Sequence, residues 1–222
     1  MATTMTDYAA EREAMIDRQL RRRGINEQAI LDAFRAVPRE RFISGEYAHL
    51  AYGDHPLPIE ANQTISQPYI VALMIQAAAI KPGDKVLEVG AGSGYAAALI
   101  SRIADRVIAI ERQHELVEVA RGRLRRLGFD NVAIVEGDGT KGYPDEAPFE
   151  GILAAASGSH VPEPLLAQLA PGGRIVMPVG EPGGVQELIK VTKQEDGILT
   201  QENLGAVRFV PLIGEEGWKN AH

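Results

Sequence analysis

Apolar positions from Lys85 onward fall into short runs: Val86 to Val89, Val107 to Ile110, Val132 to Val135, Ile152 to Ala155 and Ile175 to Val179. Runs of this length suit strands buried on both faces, and the longer amphipathic stretches between them suit the helical crossovers that join parallel strands. The alternation predicts an α/β fold, Rossmann-like and doubly wound, with a mostly parallel sheet. After Gly184 the rhythm changes to Val185 to Val191, a turn around Asp196 and Gly197, then Ile198 to Leu212, which predicts an antiparallel C-terminal element. Upstream, Ile30, Leu31, Phe34 and Val37 recur at helical spacing after Asn26 as N-cap, and Pro38 stops that helix. The stretch from Tyr47 to Thr64 carries Gly53, Asp54, Pro56 and Pro58 without a clean period and reads as a long ordered loop. A second helix begins at Gln67, with Pro68 in its first turn and Ile70, Leu73, Met74 and Ala77 on one face. One domain over 1–222 is expected: a helical and loop N-terminal extension over 1–66 and a cofactor core over 67–222.

Composition narrows the partners. A chain of 222 residues, 45% hydrophobic and 24% charged, is long enough to bury an α/β core without covalent staples. Its net charge of -7 offers no broad attraction to phosphate backbones, so no nucleic acid partner is expected. The basic cluster Arg121, Arg123, Arg125 and Arg126 reads as the solvated face of a helix. With no cysteine there is no thiolate nucleophile, disulfide or Cys-based zinc site, and His49, His55, His114, His160 and His222 are too scattered to suggest another metal centre. Asp7, Glu11 and Glu13 interrupt Met1 to Met15, so no secretory leader is read there. The apolar segment Ile70 to Ile80 is too short to span a bilayer and contains Gln76. A cytoplasmic monomer without metal or membrane partner is expected.

The chemistry concentrates where the first parallel strand ends. Val86 to Val89 runs into Gly90, Ala91, Gly92, Ser93 and Gly94, and a helix starts at about Tyr95. Glycines in that position let the backbone turn tightly and approach a ligand, while the helix N-terminus presents unpaired amides. Glu111 ends the next strand 21 positions after Gly90, where a carboxylate reads ribose hydroxyls. Asp138, between Gly137 and Gly139 at the end of the third strand, is placed to accept from an adenine amino group along the same sheet edge. The dinucleotide pattern G-x-G-x-x-G requires glycine at position 95, which is Tyr95, so the spacing leans away from NAD. A G-x-G-x-G turn after an acidic residue, here Glu88, resembles the class I S-adenosylmethionine-dependent methyltransferases. The cofactor set is then Glu88, Gly90, Ala91, Gly92, Ser93, Gly94, Glu111, Asp138 and Gly139.

The acceptor must be read outside that turn, because one fold hosts many chemistries. The segment after the fourth strand, Ala154, Ala155, Ala156, Ser157, Gly158, lacks the Asn/Asp-Pro-Pro-aromatic pattern of exocyclic amine methylation. The segment Gln63 to Ala72 (Q-T-I-S-Q-P-Y-I-V-A) resembles the signature of protein-L-isoaspartate O-methyltransferases. The resemblance extends to Val37 to Phe42, to Tyr52, Asp54, Leu57 and Pro58, and to Pro171 to Gly173 with Pro178 to Gly180. Val207 to Leu212 looks like that family's C-terminal substrate strand, so the likeness covers nearly the whole chain from Met15 to Trp218. It departs at Glu60, Ala61 and Asn62, where the family usually reads Gly-x-Gly, at Glu150 for a commoner Asp, and at Ser157 to His160 for an Ala-Pro connection.

The resemblance implies methyl transfer from S-adenosylmethionine, leaving S-adenosylhomocysteine, to the free α-carboxylate of L-isoaspartyl residues in damaged proteins and peptides. Their repair would proceed through a succinimide. It implies a catalytic role for Ser66 and a substrate set of Thr64, Ile65, Ser66, Gln67, Val207, Arg208, Phe209 and Val210, so that the extension over 1–66 forms part of the substrate site. The chemistry agrees: an α-carboxyl has a pKa of roughly 3.5 and is already ionised at neutral pH. No general base is required, and no Ser/His/Asp constellation stands out. Alternatives are an O-methyltransferase of a small carboxylic or hydroxy metabolite, an NAD oxidoreductase, and a noncatalytic cofactor-sensing module.

Overall fold

A computed structural model describes residues 7–219. The first six positions of the stretch read for a leader, and His222, lie outside the described residues. Helix α1 (Tyr8–Met15) is capped by the Asp7 side chain on the Ala10 amide and continues through a π-helical turn, Ile16–Leu20, to left-handed Gly24. Helix α2 (Gln28–Ala36) buries Ile30, Leu31, Ala33 and Phe34, the face its spacing predicts. Its N-cap is Glu27, one residue later than the expected Asn26, and makes no side-chain cap bond. Burial of the apolar face, more than a capping side chain, therefore decides where α2 starts. Val37 leaves the helix with extended φ and ψ, as a residue before proline must.

The long loop is pinned by a short antiparallel pair, β1 (Leu57–Pro58) with β2 (Thr64–Ile65). Helix α3 (Pro68–Ala78) follows, with Pro68 in its first turn, where a missing N–H costs no helical bond. The core then alternates β3 (Lys85–Val89), α4 (Tyr95–Ile100), β4 (Arg106–Glu111), α5 (His114–Leu127), β5 (Val132–Glu136), β6 (Phe149–Ala154), α6 (Glu163–Ala167) and β7 (Leu169–Val179). The hairpin β8 (Gln186–Lys193) and β9 (Leu199–Val207) completes a seven-stranded sheet in the order β5-β4-β3-β6-β7-β8-β9. Pairing is parallel from β5 to β7 and antiparallel from β7 to β9. The winding reverses between β3 and β6, which opens a crevice at their carboxyl ends.

The two faces are covered unequally. Val86, Val107, Leu153 and Val176 join one core with α2 to α5 and with Met15, Ile16, Leu20 and Phe42 of the N-terminal segment. Leu87, Ile108, Ile152 and Ile175 face the other way, under the five-residue α6 and short 3-10 turns. Gly142, Pro144 and Pro148 between β5 and β6 stop a full helix from forming there. Two members of the basic cluster depart from the sequence reading, while Arg125 and Arg126 are exposed as expected. Arg123 is buried and paired with Glu60, and half-buried Arg121 donates twice to the Ile134 carbonyl. These two arginines brace α5 against β5 and the turn at Glu60. Among the described residues no helix is long and apolar enough to cross a membrane.

Candidate functional site

At the end of β3, Gly90, Gly92 and Gly94 adopt φ of 90°, 53° and 85°. Side chains disfavour that left-handed region by about 1 kcal/mol or more per residue. Hydrogen bonds hold the turn: the amides of Gly90 and Ala91 donate to the Ile110 carbonyl at 2.9 and 3.0 Å. The Gly92 amide donates to Glu111 Oε2 at 3.0 Å, while Glu111 Oε1 accepts from the Gln113 amide at 2.9 Å. Glu111 thus braces the turn while its carboxylate lines the cleft. Glu88 is only 2% exposed, and its Oε2 has no hydrogen-bond partner among the described residues. Burial first, and the Glu111 carboxylate second, push its pKa well above the ordinary glutamate value, against a smaller opposing pull from the Ala97 amide. An orphaned carboxyl oxygen in a cleft wall marks a place for a donor or cation.

One cavity gathers Glu88, Gly90, Ala91, Gly92, Ser93, Glu111 and Gly139 from the cofactor set. Gly94 and Asp138 stand outside its wall. A Cβ on Gly94 would make ordinary contact with Ala120 and Leu124 at 3.4 Å, so its φ of 85°, not space, is what favours glycine here. Asp138 Oδ1 accepts from the Thr140 amide and hydroxyl at 2.9 and 2.7 Å, and Oδ2 from the Glu215 amide at 2.8 Å. Desolvation alone would raise its pKa, but these bonds hold it below the ordinary carboxylate value. Asp138 therefore ties the C-terminal segment to the end of β5, behind Gly139. Tyr95 is fully buried against the rings of Phe34 and Phe42, at centroid distances of 6.2 and 5.5 Å. Packing against the N-terminal segment fills the position where a dinucleotide fold needs glycine.

A second groove adjoins the first and is lined by Pro56, Thr64, Ser66, Gln67, Ile70, Ala155, Pro182, Gly183, Val185 and the run from Ala206 to Pro211. Thr64, Ser66, Ala155, Val210 and Pro211 line both. Of the substrate set only Ile65 is confined to the first cavity. The N-cap of α3 is Gln67 without a side-chain cap bond, so Ser66 is not the capping residue. Strand β9 ends at Val207, and Arg208 to Val210 leave the sheet. The Phe209 amide donates to Gln186 Oε1 at 2.8 Å, and the Val210 carbonyl accepts from the Ser157 amide at 2.8 Å. A ligand strand would find those two main-chain groups already engaged.

Sequence reasoning missed several wall residues: Gln63, Val71, Arg112, Gln113, Ala155, Ala156, Leu212 and Ile213. Arg112, Gln113, Ala155 and Ala156 directly follow β4 and β6, and the rule that ligands gather at strand ends could have found them. Leu212 ends the segment that resembles a substrate strand, and Ile213 arrives through tertiary contacts alone. The Ser157 carbonyl accepts from the Leu212 amide at 2.8 Å and from Trp218 Nε1 at 2.9 Å. The Ser157 to His160 connection thus anchors the C-terminal segment beside the cleft. Among the described residues no cluster of three or more His, Asp or Glu could hold a metal ion.

Comparison with known proteins gives one family. The model of the family described as Protein-L-isoaspartate(D-aspartate) O-methyltransferase matches residues 10–217. A "Protein-L-isoaspartate O-methyltransferase 2" from Pelobacter propionicus is 53% identical over 207 residues, 93% of this chain and 92% of that protein. A solved structure described as a protein-L-isoaspartate O-methyltransferase superposes with a TM-score of 0.85 at 31% identity, covering 93% of this chain and 67% of that one. A Plasmodium falciparum structure of the same description, in complex with S-adenosyl-L-homocysteine, gives a TM-score of 0.78 at 27% identity, covering 94% and 99%.

Proposed function

Because the chain belongs to the protein-L-isoaspartate(D-aspartate) O-methyltransferase family, we propose that it methylates the free α-carboxylate of L-isoaspartyl residues in damaged proteins and peptides, using S-adenosylmethionine. The observation that carries this reading is the meeting of two cavities at Thr64, Ser66, Ala155, Val210 and Pro211. Donor and acceptor must share a wall, and Ser66 is on it. The residues of the first cavity fit the cofactor: a glycine turn open to close approach, the Glu111 carboxylate for hydroxyl groups, and the orphaned Glu88 oxygen for a donor or cationic group. When bound, S-adenosylmethionine supplies a methyl group on a sulfonium sulfur and leaves as S-adenosylhomocysteine.

The chain's own task is placement. Ser66 donates its hydroxyl to the acceptor carboxylate without taking a proton, since that group is already ionised. The start of α3 beside it favours an anion there. Gln67 and Ile70 on one side, with Val207 to Val210 on the other, orient the peptide and exclude water, so the reacting oxygen is held in line for transfer. The groove continues past Ser66 to Pro182, Gly183 and Val185. That length suits a peptide better than a small carboxylic acid. A single chain supplies every proposed site residue, so we take the monomer as the working unit. We take the cytoplasm as the setting of this activity, as part of the same proposal.

The test compares an isoaspartyl peptide with its normal aspartyl twin under labelled S-adenosylmethionine. Methyl incorporation into the first alone is expected; equal or absent incorporation sinks the reading. In the same assay Ser66→Ala should lower turnover about tenfold or more, the loss of one hydrogen bond to a charged group, with S-adenosylhomocysteine affinity nearly unchanged.

A further inference from the structure

Between β1 and β2 the chain turns in a conformation that L-residues resist: Ala61 and Asn62 sit at φ of 54° and 55°. The Gln63 amide donates to the Glu60 carbonyl at 3.1 Å and the Ile59 amide to the Gln63 carbonyl at 2.9 Å, closing the turn locally. Its long-range anchor is the Glu60 side chain, whose oxygens accept from Arg123 Nη1 at 3.1 Å and Nη2 at 2.8 Å. The Arg123 side chain is 8% exposed and that of Glu60 25%. A fork-to-carboxylate pair so withdrawn from water is directional and weakly screened, unlike a surface pair. Arg123 lies on α5, the helix that begins just after Glu111 and Gln113 in the cofactor cavity. On the other side of the turn, Gln63 to Ser66 form the wall of that cavity. The pair therefore joins the helix behind Glu111 to the segment that carries Ser66.

We propose that Glu60 and Arg123 are positioning residues, a latch that holds the strained turn at 60–62 closed and so keeps the Gln63 to Ser66 wall against the bound cofactor. The inference rests on the functional reading above and concerns which of this chain's residues control that wall. Left-handed Ala61 and Asn62 favour relaxation of the turn, and the ion pair opposes it. Glycines at such positions would need no latch. A chain with Glu60, Ala61 and Asn62 there needs one.

The test measures the dissociation rate of S-adenosylhomocysteine by stopped-flow displacement from the wild type, Glu60→Gln, Arg123→Met and the double variant. Thermal midpoints without ligand are recorded beside it. Each single change is expected to speed release roughly tenfold, equivalent to about 1.4 kcal/mol, and the double variant to release no faster than either alone, because all three break one interaction. Glu60 is the more exposed partner, so Glu60→Gln and Glu60→Ala carry the test if Arg123→Met does not fold. Variants that lose thermal stability yet release at the wild-type rate overturn the latch, as do fully additive rate effects. A wild-type chain that binds no S-adenosylhomocysteine overturns the functional reading and the latch with it.

Discussion

Glu88 and Asp138 are both carboxylates at the edge of the cofactor region, and their surroundings push them in opposite directions. Asp138 accepts three hydrogen bonds and titrates below its ordinary value. Its contribution to stability is present above the unfolded carboxylate pKa and is lost as pH falls. Glu88 is buried with an unbonded oxygen, and its folded pKa lies above the unfolded one. The native state holds that proton more tightly, so stability is highest below the unfolded value and declines as pH rises through the folded one. Glu88→Gln removes the ionisation while keeping the shape. In urea unfolding it should be more stable than wild type at about pH 8, with the gap closing towards about pH 4, where both carry a neutral side chain. A gap that widens on acidification contradicts the assignment. The sequence placed both in one cofactor set, Glu88 as the acidic residue before the glycine turn and Asp138 as the carboxylate at the end of the third strand. It could not show that Asp138 accepts from the Glu215 amide, 77 positions away.

At the scale of elements, the segment beyond β9 works as a separate wall. Ser157 takes the Leu212 amide and the Trp218 ring N–H on one carbonyl, while its own amide reaches Val210. Those contacts place Val210 and Pro211 where both cavities meet. Trp218→Phe deletes the ring donor and keeps most of the packing. A lost neutral hydrogen bond amounts to about 1 kcal/mol, or roughly fivefold in an affinity. The variant should weaken peptide KM and S-adenosylhomocysteine Kd together, each by up to about fivefold, read by steady-state kinetics and calorimetry. Unchanged values for both contradict the shared-wall geometry. Strand β6, which leads to Ser157, was legible, since a parallel strand buried on both faces reads as a continuous apolar run. The wall itself was not: Arg208 to Val210 read as strand residues, but the chain leaves the sheet after Val207.

For the whole molecule, Met15, Ile16, Leu20, Phe34 and Phe42 share one core with α3, α4 and α5, and a ligand that binds only the folded chain stabilises that whole core. A ligand held at about 100 times its Kd adds about 2.7 kcal/mol to native stability. S-adenosylhomocysteine should therefore raise the thermal midpoint by several degrees, while NAD at equal concentration should leave it unmoved. The reverse result returns the chain to the dinucleotide class. The sequence by itself determined the α/β class, the G-x-G-x-G turn, Glu111 at a strand end and the Gln63 to Ala72 signature. These follow from periodicity, backbone sterics and local residue chemistry, which act over a few positions. Only the tertiary structure decided that Arg123 leaves the solvated face to bind Glu60, that Tyr95 packs under the N-terminal helices, and that Asp138 braces a distant turn. It also decided that Ser66 stands where two cavities meet. Each of those depends on partners far apart in the chain, and their desolvation and geometry exist only once the sheet has brought them together.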